Sequence, residues 1–106
     1  AELTEKGEGV YQKNCVACHQ MNGEGLPPIF PALAGSDIVM FDKDRNVEIL
    51  MEGVQGAAMQ SFANQLSEVD MAAVITYTRQ AWGNAENGDG EYVVPSDIVE
   101  YRKPKI

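Results

Sequence analysis

Residues Met71, Val74, Ile75, Thr78 and Trp82 fall at helical spacing and mark the clearest element of the chain. Ser67 caps it, Asp70 three residues on makes a variant capping box, and Leu66 can staple against Met71. Gly83 is expected to stop it. An earlier helix is predicted to start at Thr4, with Glu5 favourable in its opening turn, and to run through Val10 and Tyr11. Gly7 and Gly9 cost that helix stability. They mark either a frayed surface turn or a close approach to another helix, where only glycine fits. A short third helix, Val47 to Glu52, is expected behind Asn46 as cap, with Ile49, Leu50 and Met51 on its buried side and Gly53 past its end.

Between these elements the pattern breaks down. Asn22-Gly23, Gly25, Pro27-Pro28, Pro31 and Gly35 exclude a regular element from residues 20 to 36. The apolar residues of that stretch (Leu26, Ile29, Phe30 and Leu33) must pack against something, either an ordinary core or a flat cofactor. After Trp82, residues 84 to 90 read as a polar link and Val93-Val94-Pro95 as extended chain. Ser96 or Asp97 then starts a last short turn ending near Arg102. There is no internal repeat and no strand-pairing signal. The expected class is all-α, in one domain spanning residues 1–106, with a core over about 4–83 and a C-terminal extension over 84–106.

At 106 residues the core is small, and chains of this size often depend on a metal or cofactor for stability. A formal charge of −8 argues against nucleic acid, because phosphates could not be neutralised in bulk. The charge suits solubility or a basic partner surface. No apolar run is long enough to span a membrane and no signal peptide is visible. The chain reads as a mature secreted protein or as a soluble domain of a larger one, and a monomer is expected.

Candidate chemistry concentrates in Cys15-Val16-Ala17-Cys18-His19, a C-x-x-C-H motif. Thiols three positions apart lie on one side of a helical turn and can both add to a single porphyrin, with the histidine beneath the iron. A thioredoxin-like redox pair would need a βαβ context that this chain lacks. A zinc site would need two further ligands, and there is no second cysteine pair and no other histidine. Covalent haem c is therefore the expected cofactor, with Cys15 and Cys18 as its anchors and His19 as one iron ligand.

The second axial position is either open or filled by methionine. Met21 is too close to His19 to reach the opposite face, Met40 reads as core, and helix burial accounts for Met51 and Met71. Met59 sits among small residues with no other structural purpose, so it is the expected ligand. Two axial protein ligands close the iron to substrate, which favours electron transfer over catalysis. The rival class is a five-coordinate haem enzyme or gas sensor in which Met59 merely packs. Tyr11 lies one turn before Cys15 and points at the core or the haem edge, and core packing is the expected role of Trp82.

In combination, the helix bearing Gly7 and Tyr11, the C-x-x-C-H motif, Pro31-Ala-Leu-Ala-Gly35, Met59 and Leu66-Ser-Glu-Val-Asp70 resemble a class I c-type cytochrome over residues 4 to about 83. The resemblance implies a helical fold in which the first and last helices cross, with Gly7 close to Tyr77. It also implies that the Pro31 carbonyl accepts the His19 ring N–H, and it allows Phe62 to pack on the haem. The text GEGLPPIFPALAGS, AAMQSFANQLSEVDMAAVITYTRQAWGN and VVPSDI is similar to the cytochrome c domain of subunit II of bacterial caa-type haem–copper oxidases. That likeness implies an electron-entry domain, itself not an enzyme, on the periplasmic side of the inner membrane. Its partners would be a soluble donor and the dinuclear copper centre of the respiratory oxidase. A free periplasmic carrier or a dehydrogenase cytochrome domain is the alternative.

Overall fold

The computed structural model describes residues 2–26, 31–54, 59 and 61–102. Its helices are α1 (Glu2–Asn14), α2 (Val16–His19), α3 (Asp37–Phe41), α4 (Lys43–Glu52), α5 (Glu68–Gln80), α6 (Asn84–Asn87) and α7 (Pro95–Arg102), with no strand among the described residues. None of these helices is long and apolar enough to cross a membrane.

α5 is the central element. Its cap is as predicted, with Ser67 Oγ accepting the Asp70 N–H at 3.1 Å. From Met71 to Thr76 every residue is buried, so α5 is enclosed on all sides rather than along one stripe. α1 lies against it. A Cβ on Gly7 would sit 2.0 Å from the Ala73 carbonyl oxygen and 2.7 Å from Tyr77 Cβ, so glycine is what allows the two backbones to meet. Nothing lies within 4 Å of a Cβ built on Gly9, whose position is simply open.

Several boundaries differ from expectation. α1 begins at Glu2, which puts Thr4 inside the first turn rather than at the cap. α3 was not anticipated; Ser36 caps it by accepting the Val39 N–H. α4 starts at Lys43 because Asp42, not Asn46, accepts the N–H three residues on, Arg45 at 3.1 Å. Asn46 therefore lies within the helix, and its buried Nδ2 has no hydrogen-bond partner among the described residues. Gly53 does end α4, at φ 74°. α5 stops at Gln80, before Gly83, because Trp82 already turns into the left-handed region at φ 57°.

That reversal brings the Trp82 indole against Tyr11 and Tyr77, with ring centroids 5.3 and 5.8 Å away, and its N–H donates to the Met21 carbonyl at 3.0 Å. Beyond it the chain returns across α5. Thr76 Oγ1 donates to the Val93 carbonyl at 2.7 Å and accepts the Val93 N–H at 2.9 Å. Val93 and Ile98 are wholly buried in the main core. Arg79, 1% exposed, donates to the carbonyls of Val39, Met40 and Glu91 and pairs with Asp89. One buried cation thus joins α3, α5 and the chain beyond α6. Its donors are met by carbonyls and a carboxylate, as a buried charge requires.

Candidate functional site

α1, α2, α4, α5 and the chain around residues 31–36 surround a cleft of about 310 Å³. The break between α1 and α2 falls at Cys15, whose carbonyl accepts the N–H groups of Cys18 at 3.2 Å and His19 at 2.9 Å. This single turn puts Cys15, Cys18 and His19 into the same wall. Leu33, Ile49, Leu50, Val54, Phe62, Val74 and Ile75 complete a largely apolar lining.

His19 Nδ1 lies 3.0 Å from the Pro31 carbonyl oxygen. A carbonyl only accepts, so Nδ1 carries the proton, and in the neutral ring this leaves the lone pair on Nε2. The Pro31 segment is itself held in place by Asn84, which accepts the Gly35 N–H at 2.8 Å and donates to the carbonyls of Leu33 at 3.1 Å and Thr78 at 2.8 Å. Sequence reasoning missed this role; an asparagine after Gly83 reads as a turn residue, and nothing local points to a loop some 50 positions away. Tyr11 borders the cleft, and its hydroxyl donates to the Gln20 carbonyl at 2.6 Å. Burial, then the neighbouring Cys15 and Tyr77, raise its phenol well above the usual range and keep it protonated.

Met59 lines the cleft, with its carbonyl accepting the Val54 N–H at 3.0 Å. Among the lining residues it is the one methionine. Met40, Met51 and Met71 are buried elsewhere, and Met21 is 55% exposed. Phe62 is buried and borders the cleft alongside Leu33. Leu26 departs from expectation: it is 58% exposed and outside the lining. Ile29 and Phe30 lie outside the described residues. Trp82 is not in the cleft wall either.

The competing chemistries fit less well. No group of three or more His, Cys, Asp or Glu converges among the described residues, so a zinc set does not form. Burial, then the adjacent Cys18, push the Cys15 thiol up to about 11 from an ordinary 9.0. A thiol–disulfide catalyst needs the opposite shift.

A greasy cleft with two thiols on one turn and an imidazole whose Nδ1 faces a carbonyl suits a flat apolar ring tethered to the chain. The protein is a monohaem c-type cytochrome of class I, and its cofactor is covalently bound haem c. It belongs to the family described as cytochrome c oxidase, cbb3-type, subunit III, which matches residues 2–77.

The chain is 36% identical over 98 residues to cytochrome c-552 of Thermus thermophilus, covering 79% of this chain and 73% of that protein. It is 34% identical over 117 residues to the cytochrome c subunit of the quinone alcohol dehydrogenase of Gluconobacter oxydans, covering 96% of this chain but only 24% of that subunit. Cytochrome cL of Methylophaga aminisulfidivorans shares the fold, with a TM-score of 0.69 at 19% identity over 99% of this chain and 69% of that one. Among these relatives one is named as a cytochrome c subunit of a dehydrogenase and the others as cytochromes. They are dehydrogenase cytochrome subunits and cytochromes c rather than subunit II of an oxidase.

Proposed function

We propose that His19 Nε2 and Met59 Sδ are the axial iron ligands, that Cys15 and Cys18 carry the thioether links, and that the chain transfers electrons by an outer-sphere route. The observation that carries this reading is that Cys15, Cys18, His19 and Met59 wall one cleft from which the other four methionines are absent. Bound haem c supplies a one-electron ferric/ferrous couple. The chain's own residues do the rest. Pro31 holds the His19 tautomer and orientation and so sets how strongly the imidazole donates. Tyr11, anchored on the Gln20 carbonyl, and Phe62 line the cleft and would pack against the bound ring. The aliphatic lining excludes water, which keeps the ligand set unchanged between oxidation states. A thioether donor favours the reduced form and raises the potential.

In this reading the chain works on the periplasmic side of the bacterial inner membrane and receives electrons from a dehydrogenase. The dehydrogenase relatives support that choice of partner. A second reading, the electron-entry domain of an oxidase subunit II delivering to a dinuclear copper centre, rests on the GEGLPPIFPALAGS and VVPSDI text. The reading frame upstream of Ala1 separates the two, since membrane helices and a copper-ligand cluster there would favour the oxidase.

Met59→Ala tests the ligand set and, with it, the five-coordinate rival. The ferric red charge-transfer band is expected to disappear, the potential to fall, and ferrous carbon monoxide binding to become fast. Unaltered spectra in the variant would remove Met59 from the iron.

A further inference from the structure

We propose that α7 is a strap across the Met59-bearing segment, with Tyr101 and Arg102 as positioning residues that keep Met59 on the iron. The proposal rests on Met59 being the axial ligand. The chain that presents Met59 runs from the end of α4 to the start of α5, and α7 grips both ends. The Tyr101 hydroxyl donates to the carboxylate of Glu52, the last residue of α4. Arg102 donates from one guanidinium nitrogen to the Ala63 carbonyl and from the other to the carboxylate of Glu68, the first residue of α5, both at 3.0 Å. Ile98, wholly buried, fixes α7 to the core, so the grip comes from a seated helix and not from a loose end.

The inner side of the same span is fastened separately. Val54 N–H donates to the Met59 carbonyl at 3.0 Å, Phe62 N–H donates to the Leu50 carbonyl at 2.9 Å, and Ser61 Oγ donates to the Met51 carbonyl. The inner bonds tie the span to α4 alone. Phe62, Ala63 and Leu66 also pack on the main core, and to that packing α7 adds a hydrogen bond from Arg102 to Ala63 within the span and side-chain contacts to the helix residues at its two ends. For Met59 to leave the iron the span must open locally. The frequency of such openings is set by the ties that break, not by the stability of the whole molecule.

The test is a stopped-flow measurement of imidazole binding to the ferric holoprotein, which replaces Met59 at a rate limited by opening. The Tyr101→Phe, Arg102→Gln double variant is expected to bind imidazole roughly three- to tenfold faster, the range that loss of exposed polar ties allows. Its thermal midpoint should stay close to wild type. Arg102→Lys, which keeps the charge but not the two-pronged reach, should recover part of the difference. Lys43→Gln removes the Lys43–Glu91 pair at the first residue of α4, away from α7, and should leave the rate unchanged. A double-variant rate equal to wild type, or an equal acceleration in Lys43→Gln, overturns the strap while leaving Met59 ligation intact. A wild type without the red ferric band overturns both, because the ligand itself is then missing.

Discussion

Gly7 and Gly9 look alike in the sequence, and the structure gives them opposite worth. At Gly7 an added methyl meets the Ala73 carbonyl at 2.0 Å, an overlap that backbone cannot relieve cheaply. Gly7→Ala is expected to destabilise the protein by about 2 kcal/mol or more, because overpacking exceeds the roughly 1 kcal/mol that alanine gains in a helix. Gly9→Ala meets nothing and should stabilise by about 0.5–1 kcal/mol. Urea titration of both holoproteins checks the pair. No local signal separates the two glycines, since the difference lies in a partner more than 60 positions away. Asn46 is a similar case. Its neighbours Asp42 and Asp44 can cap as well as it can, and only the backbone reveals that Asp42 does.

Among the elements, α5 was the most legible, because its cap and its apolar period agree with each other. α3 was the least: five residues reading Asp-Ile-Val-Met-Phe offer a run without a period, directly behind a stretch of prolines and glycines. The chain after α6 was hard to read for a related reason. Val93 and Ile98 are isolated apolar positions in polar text, and what recruits them into the core is Thr76 and the buried Arg79 on α5. Gly88 completes that seam, since a Cβ there would come within 2.6 Å of Met40 Cβ. The Arg79–Asp89 pair makes the seam sensitive to acid. Burial works to raise Asp89, but the hydrogen bonds from Arg79 and from the Glu91 N–H, with the nearby positive charges of Arg79 and Lys43, hold its carboxyl below the ordinary 3.8. A depressed carboxyl lends its stability in full above the ordinary value and loses it as pH falls through the lowered one. Asp89→Asn should therefore cost about 2 kcal/mol at neutral pH, the scale of a charged hydrogen bond. The gap from wild type should narrow as urea titrations are taken below pH 3.8.

Taken as a whole, the molecule carries −8, and among the described residues Lys6, Lys43, Arg45, Arg79 and Arg102 all face carboxylates. The field it presents is accordingly acidic. Electron transfer from a basic donor protein is expected to slow on the order of tenfold as salt rises from low to physiological strength. Stopped-flow mixing with such a donor measures this, and a flat salt profile would place docking on an apolar rim instead. The seating of α1 on α5 has one more consequence, which concerns biogenesis. The residues that receive the porphyrin stand at the foot of the same helix whose docking closes the protein, and Tyr11 becomes inaccessible as that helix seats. Haem attachment at Cys15 and Cys18 is therefore expected to precede the seating of α1 on α5. A chain denied its pigment should then stay poorly ordered, which far-UV circular dichroism of the apoprotein would show as lost helix.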